Sequence, residues 1–509
     1  MRSLLVLFGN EMNIIKTIFI KRNLLAFFFG VCATLTLAPI YIFPLIIPAY
    51  GGLFWLVSNA TTKKRAFADG WWWGFGFFTT GLYWFCIALL TDPEKFAWAI
   101  PFCLVGLNGI IALYPAVACL LYFLLRHTDE SRYPVKCLSW IPTFVGMTAT
   151  GKAITFSTIW LVVEYARSHL FSGFPWNLAG YSFGFSDISL QLASIIGIYG
   201  LTFFTVLLGV SAVIIRTNRI FLLSIWSLFT ISLIWGNYRL ENAKEGEPTG
   251  VLLRLVQANI QQNHKWNPDL QKQGLDEHIR LTNSEGLDKI THVIWPETAT
   301  PYALRSDTSL TKYLGSSLPN GVQLITGALR VEGDENNYNI YNSAVMLDNS
   351  GKIIGNYDKH ALVPFGEFIP LRFLIPSWLK LPVGNKDFSR GNGAETKKWQ
   401  GLPPVSVLIC YEGIFPETAV DMNNRPEWLL NITNDAWFGM SSGPHQHFEM
   451  VRMRAVEQGL PLVRIANTGI TAYIDEYGRI KGQIPLGEQG VLDMELHKST
   501  LDGTIYSEF

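Results

Sequence analysis

Three predicted strands in the second half of the chain each end at or beside a residue that could do chemistry. HVIWPE ends at Glu297, IGNYDKH carries Lys359, and VSVLICYE delivers Cys410, which is the only cysteine after residue 137. A thiol acts as a nucleophile in its thiolate form, and a neighbouring carboxylate can be the base that removes its proton. A lysine ammonium can stabilise the oxyanion of a tetrahedral intermediate. Together these residue types predict a covalent site built on a cysteine nucleophile.

The segments around these residues favour an α/β domain over 251–509. Short β-rich runs such as VLLRLVQANI, QLITGALR and WLLNITND alternate with helix-like polar stretches. In α/β sheets the carboxyl ends of strands open onto the crevice where ligands bind, so Glu297, Lys359 and Cys410 are expected to converge. A polar linker, YRLENAKEGEPTG at 238–250, precedes this domain.

The first half of the chain has the composition of a membrane protein. Between Arg65 and Arg126 the charged residues are Asp69, Asp92, Glu94 and Lys95. Spanning helices need about 20 apolar residues. The apolar stretches of region 1–237 therefore predict a transmembrane bundle of about seven helices. They lie at 24–39, 40–57, 67–90, 98–125, 155–172, 190–215 and 219–237. The net charge of zero gives no global field that would mark a nucleic-acid partner.

The placement of lysine and arginine orients these helices. Basic residues precede the first predicted helix and fall in alternate loops: Lys16, Lys21, Arg22, then Lys63, Lys64, Arg65, then Arg126, Arg132, Lys136, Lys152, then Arg216 and Arg219. A cytoplasmic start followed by seven crossings places everything after Asn237 outside. The N-terminal apolar run lacks a clean small-residue cleavage site, so an uncleaved helix is expected rather than a signal peptide.

One loop near 131–153, SRYPVKCLSWIPTFVGMTATGKA, does not fit this pattern. Its apolar part is too short to span a membrane, and Pro134, Pro142 and Gly146 interrupt it. It resembles peptides that mobile palindromic repeat elements insert in frame into bacterial genes. An ordinary cytoplasmic loop is the alternative, and neither interpretation assigns it chemistry.

Five ordered motifs resemble the nitrilase superfamily and, more narrowly, the bacterial apolipoprotein N-acyltransferases. They are WPET (295–298), YDKHALVPFGEFIP (357–370), ICYE (409–412), NDAWFG (434–439) and GPHQHFEMVRMRAVE (443–457). The membrane half and the stretch FPWNLAGYS also resemble that family. The resemblance implies a four-layer αββα sandwich attached to a membrane α-helical bundle.

The resemblance also implies a catalytic triad of Glu297 as general base, Lys359 as oxyanion stabiliser and Cys410 as nucleophile. Supporting roles are carried over to Glu367, Tyr411, Glu412 and Trp266, the last near the substrate entrance. Glu367 and Glu412 could instead be ion-pair or hydrogen-bond partners, and Trp266 could simply be packing.

The implied reaction moves a fatty acyl chain from a membrane phospholipid to Cys410, and then to the α-amine of diacylglyceryl-cysteine in an apolipoprotein. It needs no cofactor and no metal. The expected partners are the phospholipid donor, the apolipoprotein acceptor and membrane lipids, with no nucleic acid and a monomeric enzyme. The implied location is the bacterial inner membrane, multi-pass, with the catalytic domain on the periplasmic side.

Departures from the family pattern leave alternatives open. The family usually ends with a further membrane helix, whereas this chain stops at TIYSEF, so an inactive truncated copy is one alternative. Leu460 stands where arginine is common, and Met440 where a polar residue is usual.

A membrane-tethered amidase that hydrolyses small amides would use the same triad. A transporter with an external binding domain would need intramembrane charges along a path.

Three smaller features also have two interpretations. His445 and His447 could be metal ligands, but hydrogen-bonded histidines are favoured. Glu164 and Arg167 are three apart on one helix, which favours a local pair over a transport relay. The apolar segment LRFLIPSWLKLP, 371–382, could touch lipid beside the site or pack on its own domain.

Overall fold

The computed structural model describes residues 20–127, 148–265, 267–305, 308–334, 337–370, 372–374 and 386–508. The chain forms two compact units: Met1–Ser189 with Ile198–Asn237, and Leu190–Gly197 with Tyr238–Phe509. Trp266, most of the 131–153 loop and most of 371–382 lie outside the described residues, so the expectations for them stay predictions.

Helices dominate the described residues up to 241. They are α1 over 20–34, α2 Gly52–Ser58, α3 Lys63–Gly81, α4 Phe85–Leu89, α5 Pro93–Phe96, α6 Asn108–Ile111, α7 Leu113–His127, α8 Ala149–His169, α9 Asp187–Leu190, α10 Ala193–Val213 and α11 Arg219–Glu241. Within the described residues, three helical stretches are long and apolar enough to cross a membrane: Pro93–Arg126, Ala193–Val213 and Arg219–Glu241.

Glycines let α3 approach its neighbours closely. A Cβ atom at Gly70 would collide with the carbonyl of Pro115, and one at Gly74 would lie 3.0 Å from the Cα of Ala112. Small residues at such crossings allow backbones to pack tightly, and this packing replaces the hydrophobic driving force that lipid does not supply.

The buried charges of this unit are paired locally. Asp69 is fully buried, lies 2.8 Å from Arg22 and also pairs with Arg65. Glu164 lies 3.9 Å from Arg167, whose guanidinium donates to two backbone carbonyls nearby. Local pairing is how helices tolerate ionisable groups in an apolar environment, and it matches the local-pair interpretation of Glu164 and Arg167.

The second unit is built on two mixed six-stranded sheets, ordered β12-β1-β2-β3-β4-β5 and β11-β10-β9-β8-β7-β6. The strands are β1 Pro248–Gln257, β2 His292–Ile294, β3 Gln323–Gly333, β4 Tyr338–Leu347, β5 Ile353–Asp358, β6 Thr396–Lys397, β7 Val405–Ile409, β8 Trp428–Thr433, β9 Leu462–Ala466, β10 Thr471–Ile474, β11 Ile480–Ile484 and β12 Gly490–His497. The helices are α12 Gln262–Lys265, α13 Pro268–Thr282, α14 Ser309–Ser316 and α15 Ser442–Gln458.

Three apolar clusters define the layers of this unit. The central cluster joins alternate residues of both sheets, for example Leu253 and Leu255 of β1 with Val407 and Ile409 of β7. The intervening side chains of β1 point the other way, and Val256 packs in the cluster that contains residues of α13 and α14. A third cluster joins α15 to the outer face of the second sheet. This period-two alternation produces the layer order α-β-β-α, which confirms the predicted four-layer sandwich.

The predicted site residues all follow the carboxyl ends of strands, and β2 and β5 run in the same direction. Strands β1, β2 and β3 are parallel, and so are β7, β8 and β9. Two successive antiparallel pairings, β3 with β4 and β4 with β5, make β5 run in the same direction as β2. Glu297, Lys359 and Cys410 follow the carboxyl ends of β2, β5 and β7.

Candidate active site

Glu297 lies just beyond the short buried strand β2 and is only 6% exposed. Its Oε1 atom accepts a hydrogen bond of 2.8 Å from Nδ2 of Asn342 in β4. The same oxygen lies 3.5 Å from Nζ of Lys359. The carboxylate is therefore held from one side by an amide and approached from another by a buried cation.

Lys359 follows β5 directly, and its side chain is 1% exposed. The ammonium lies between two carboxylates, because Nζ is also 2.9 Å from Oε1 of Glu367. Burial alone would lower the pKa of Lys359, but Glu367 and then Glu297 raise it above its usual value. The side chain is therefore a permanent cation, which suits the stabilisation of an oxyanion rather than proton transfer.

Cys410 follows β7 and adopts a left-handed backbone conformation with φ of 52°. Non-glycine residues rarely occupy this region, and such strain concentrates at functional sites. Desolvation raises the pKa of the thiol, Glu297 raises it further, and Lys359 acts in the opposite direction. The resting residue is consequently a thiol, so a base must take its proton as the nucleophile forms. Glu297 and Lys359, the other members of the predicted triad, both shift the pKa of this thiol, as groups close to it would.

Comparison with known proteins identifies the family. The family profile described as carbon-nitrogen hydrolase matches residues 252–506, and the one described as apolipoprotein N-acyltransferase N-terminal domain matches residues 29–211. A protein named apolipoprotein N-acyltransferase from Rhodopseudomonas palustris is 35% identical over 510 residues, which cover 96% of this chain and 91% of that protein. The chain belongs to the apolipoprotein N-acyltransferase family.

Other relatives carry the same name. The apolipoprotein N-acyltransferase of Rickettsia prowazekii is 33% identical over 497 residues, with 96% of this chain and 95% of that protein covered. Among solved structures, Saccharomyces cerevisiae Nit3, a member of branch 10 of the nitrilase superfamily, aligns with 50% of this chain and 91% of its own. That alignment has 19% identity and a TM-score of 0.37. The family membership predicted from the five motifs is confirmed.

Glu412 connects the cysteine and lysine segments of this family member. It is fully buried and accepts hydrogen bonds of 2.7 Å from the backbone N–H of Ile409 and from that of His360. The hydroxyl of Tyr357 lies 3.2 Å from both of its oxygens. One carboxylate thus fixes the residue before Cys410 and the residue after Lys359. Of the roles left open by the sequence, this geometry favours that of a hydrogen-bond partner.

A second buried network contacts the backbone of Cys410. His447 in α15 is 3.1 Å from the carbonyl oxygen of Cys410 through Nε2 and 2.8 Å from Oδ1 of Asp435 through Nδ1. Arg464 in β9 donates to Oδ2 of Asp435 at 2.6 Å. The network ties the backbone of Cys410 to α15 and β9. It also shows His447 as a hydrogen-bonded histidine.

Asn342 was not anticipated from the sequence, although it belongs to a predicted strand. Its Nδ2 donates to Oε1 of Glu297 at 2.8 Å and to Oε1 of Glu367 at 2.7 Å. Its backbone carbonyl oxygen accepts a hydrogen bond of 2.9 Å from the backbone N–H of Lys359. The available signal is the polar pair Asn342 and Ser343 at the start of the β-rich run YNSAVML. Such residues must find partners when they are buried.

Tyr411 is the remaining predicted supporting residue that the structure describes. The ring of Tyr411 makes an edge contact with Phe415 at 5.1 Å between centroids, and the residue is 8% exposed. Its supporting role stays a prediction, as does that of Trp266, which lies outside the described residues.

Gly327 is expected to be essential for the position of Glu297. It lies in β3, and a Cβ atom there would be 2.5 Å from the Cα of Glu297 and 2.6 Å from the N of Thr298. Gly327→Ala must therefore displace the carboxylate, and misplacement of a reacting group by about 1 Å costs up to roughly 100-fold in rate. We expect acyl transfer to fall by about 10- to 100-fold.

Gly490→Ala is the matched control, because a Cβ atom at Gly490 meets nothing within 4 Å. The rate of N-acyl product formation by the two variants is the measurement. A Gly327→Ala enzyme as fast as the control would show that the position of Glu297 does not limit the reaction.

Proposed function

We propose that this chain transfers a fatty acyl chain from a membrane phospholipid to the α-amino group of diacylglyceryl-cysteine at the N-terminus of an apolipoprotein. As a member of its family the chain is an N-acyltransferase that works on lipid and lipoprotein substrates at a membrane. The observation that carries the detailed proposal is the buried Lys359 ammonium between Glu297 and Glu367, acting on the thiol of Cys410. These are an acid-base group, a cation and a nucleophile in one site.

In the first half-reaction Cys410 acquires the acyl chain. The carboxylate of Glu297 accepts the thiol proton as sulfur attacks the ester carbonyl of the phospholipid. The resulting oxyanion is stabilised by the ammonium of Lys359. When the intermediate collapses, the glyceryl oxygen leaves and takes the proton from Glu297, so the products are a lysophospholipid and a thioester.

In the second half-reaction the amine of the acceptor attacks the thioester carbonyl. Glu297 accepts a proton from the attacking amine, and Lys359 again faces the oxyanion. The carbon–sulfur bond then breaks, the thiolate of Cys410 takes the proton back from Glu297 and the amide is released. Conversion of a thioester into an amide is downhill, so this ping-pong scheme needs no nucleotide and no other cofactor.

The membrane part fits this chemistry, because both substrates carry acyl chains. Each CH₂ group buried in lipid is worth about 0.8 kcal/mol, so neither substrate leaves the bilayer readily. We assign residues 1–237 to a multi-pass helical domain, 238–250 to a linker and 251–509 to the catalytic domain. The basic loops support an inner-membrane location with the catalytic domain on the periplasmic side. We propose a monomeric enzyme that has no nucleic-acid partner.

Mass spectrometry tests this function directly. The full chain in detergent is incubated with phospholipid alone, and then with a diacylated lipopeptide that has a free N-terminus. The expected results are an acyl adduct on the peptide containing Cys410, a lysophospholipid, and finally an N-acylated lipopeptide. Release of free fatty acid with no N-acylated peptide would favour the amidase-type alternative, in which water resolves the acyl-enzyme.

A further inference from the structure

The charges of the active site do not balance when the nucleophile forms. Glu297 and Glu367 are two buried carboxylates, and Lys359 is one buried ammonium between them. Loss of the Cys410 proton to solvent would add a further negative charge to this group, and its transfer to Glu297 would move one negative charge onto sulfur. Asp435, another buried carboxylate that raises the pKa of the thiol, already pairs with Arg464 at 2.6 Å. Unbalanced charge in a buried site is costly, so a further cation would ease formation of the thiolate.

Lys265 is such a cation, at the end of the short helix α12. It is 6% exposed, and its Nζ donates a hydrogen bond of 3.0 Å to the backbone carbonyl oxygen of Glu297. Neighbouring contacts fix this turn, because Oε1 of Gln262 accepts from Asn434 at 2.8 Å and the carbonyl of Ile260 accepts from Asn467 at 2.7 Å. The ammonium is therefore held against the residue that we propose as the base.

We propose that Lys265 is a positioning residue of the acyl-transfer site, and that its ammonium offsets the negative charge of the buried carboxylates and of the Cys410 thiolate. This inference rests on the proposed function of Cys410 and adds a second cation to it. A carbonyl needs only a neutral donor, so a buried ammonium at this position is more than the hydrogen bond to Glu297 requires.

The electrostatic surroundings of Lys265 give the inference a pH signature. Burial lowers the pKa of Lys265 to about 8, although Glu297 and Cys410 both act to raise it. His278 in α13 also faces Lys265, and burial lowers the pKa of that imidazole to about 4, so the ring is neutral at pH 7. Lys265 therefore carries its charge below about pH 8 and loses it above that value.

The test is site-specific alkylation of Cys410 by iodoacetamide, a small neutral reagent that reacts with the thiolate. The rate is followed from pH 6 to 10 by mass spectrometry of the Cys410 peptide in the full chain. Lys265→Gln keeps a donor without the charge, and Lys265→Arg keeps the charge at every pH. Lys272→Met, which removes an exposed lysine of α13, is the matched control.

We expect Lys265→Gln to be alkylated about tenfold more slowly than the natural chain at pH 7, since loss of a nearby opposite charge shifts a pKa by about one unit or more. The two rates should converge above about pH 9, where Lys265 itself is neutral. In the natural chain the rise of rate with pH should weaken near pH 8, and Lys265→Arg should show no such break. A residue that only supports the fold would not produce this convergence.

Equal alkylation rates for Lys265→Gln and the natural chain at pH 7 would overturn the inference, as would a constant ratio between them at every pH. Acyl-adduct formation from phospholipid is measured on the same samples. If the natural chain forms no adduct on Cys410, the proposed function fails. If the adduct forms and the alkylation profiles coincide, the role of Lys265 alone is wrong.

Discussion

Replacing Cys410 with alanine is expected to abolish acyl transfer, with a loss on the order of 10⁴-fold or more, because the covalent route disappears with its nucleophile. The acyl adduct should vanish from the peptide containing residue 410, and neither lysophospholipid nor N-acylated lipopeptide should form. Cys410→Ser tests the chemistry at nearly constant size. A hydroxyl ionises far less readily than a thiol, so this variant should also be inactive while the fold is retained.

The controls use a cysteine of the other unit. Cys119 is buried in α7, so Cys119→Ala removes a thiol without touching the site. That variant should keep the acyl adduct and the natural transfer rate. If Cys410→Ala still transferred acyl chains at the natural rate, direct attack of the amine on the phospholipid would have to replace the thioester scheme.

Lys359→Met is expected to have the second largest effect, and it should reduce both activity and stability. Loss of one oxyanion-stabilising group typically lowers the rate by about 10²- to 10³-fold. The substitution also leaves Glu297 and Glu367 as buried carboxylates without their shared cation. Breaking a buried ion pair from one side costs about 3–5 kcal/mol of unfolding free energy. Activity assays and thermal unfolding of the full chain measure the two effects separately.

A second variant separates the two causes. In Lys359→Met/Glu367→Gln one of the orphaned carboxylates becomes a neutral amide, which can still accept a hydrogen bond from Asn342. We expect this double variant to recover part of the lost stability and none of the activity. If activity returned together with stability, Lys359 would act only by holding the fold, and its oxyanion role would be ruled out.

The fold of the second unit is largely predictable from the sequence because its strands are short and strongly patterned. The run QLITGALR corresponds to β3, VSVLI to β7 and WLLNIT to β8. Two of the helix-like polar stretches between the β-rich runs are the helices α13, Pro268–Thr282, and α15, Ser442–Gln458. Hydrophobic periodicity is read within a short window of sequence, and each of these strands and helices shows its own period within such a window.

The partners inside the site could not be predicted in the same way. Asn342 lies 45 residues from Glu297 along the chain, and His360 lies 52 from Glu412. Periodicity indicates that such residues face a buried side, but it does not say which distant strand faces them. Strands β12 and β1 are likewise neighbours in the sheet although they are far apart in sequence, and no local sequence pattern predicts this pairing.

The hydrogen bonds of Glu412 have a mechanical consequence. Strand β5, which leads to Lys359, is at the edge of one sheet, whereas β7, which leads to Cys410, lies in the other. The carboxylate of Glu412 accepts hydrogen bonds from the backbone N–H of His360, after β5, and of Ile409, in β7. Any sliding of one half of the sandwich over the other would have to break those bonds. These bonds therefore oppose a shear displacement of the Lys359 segment relative to the Cys410 segment.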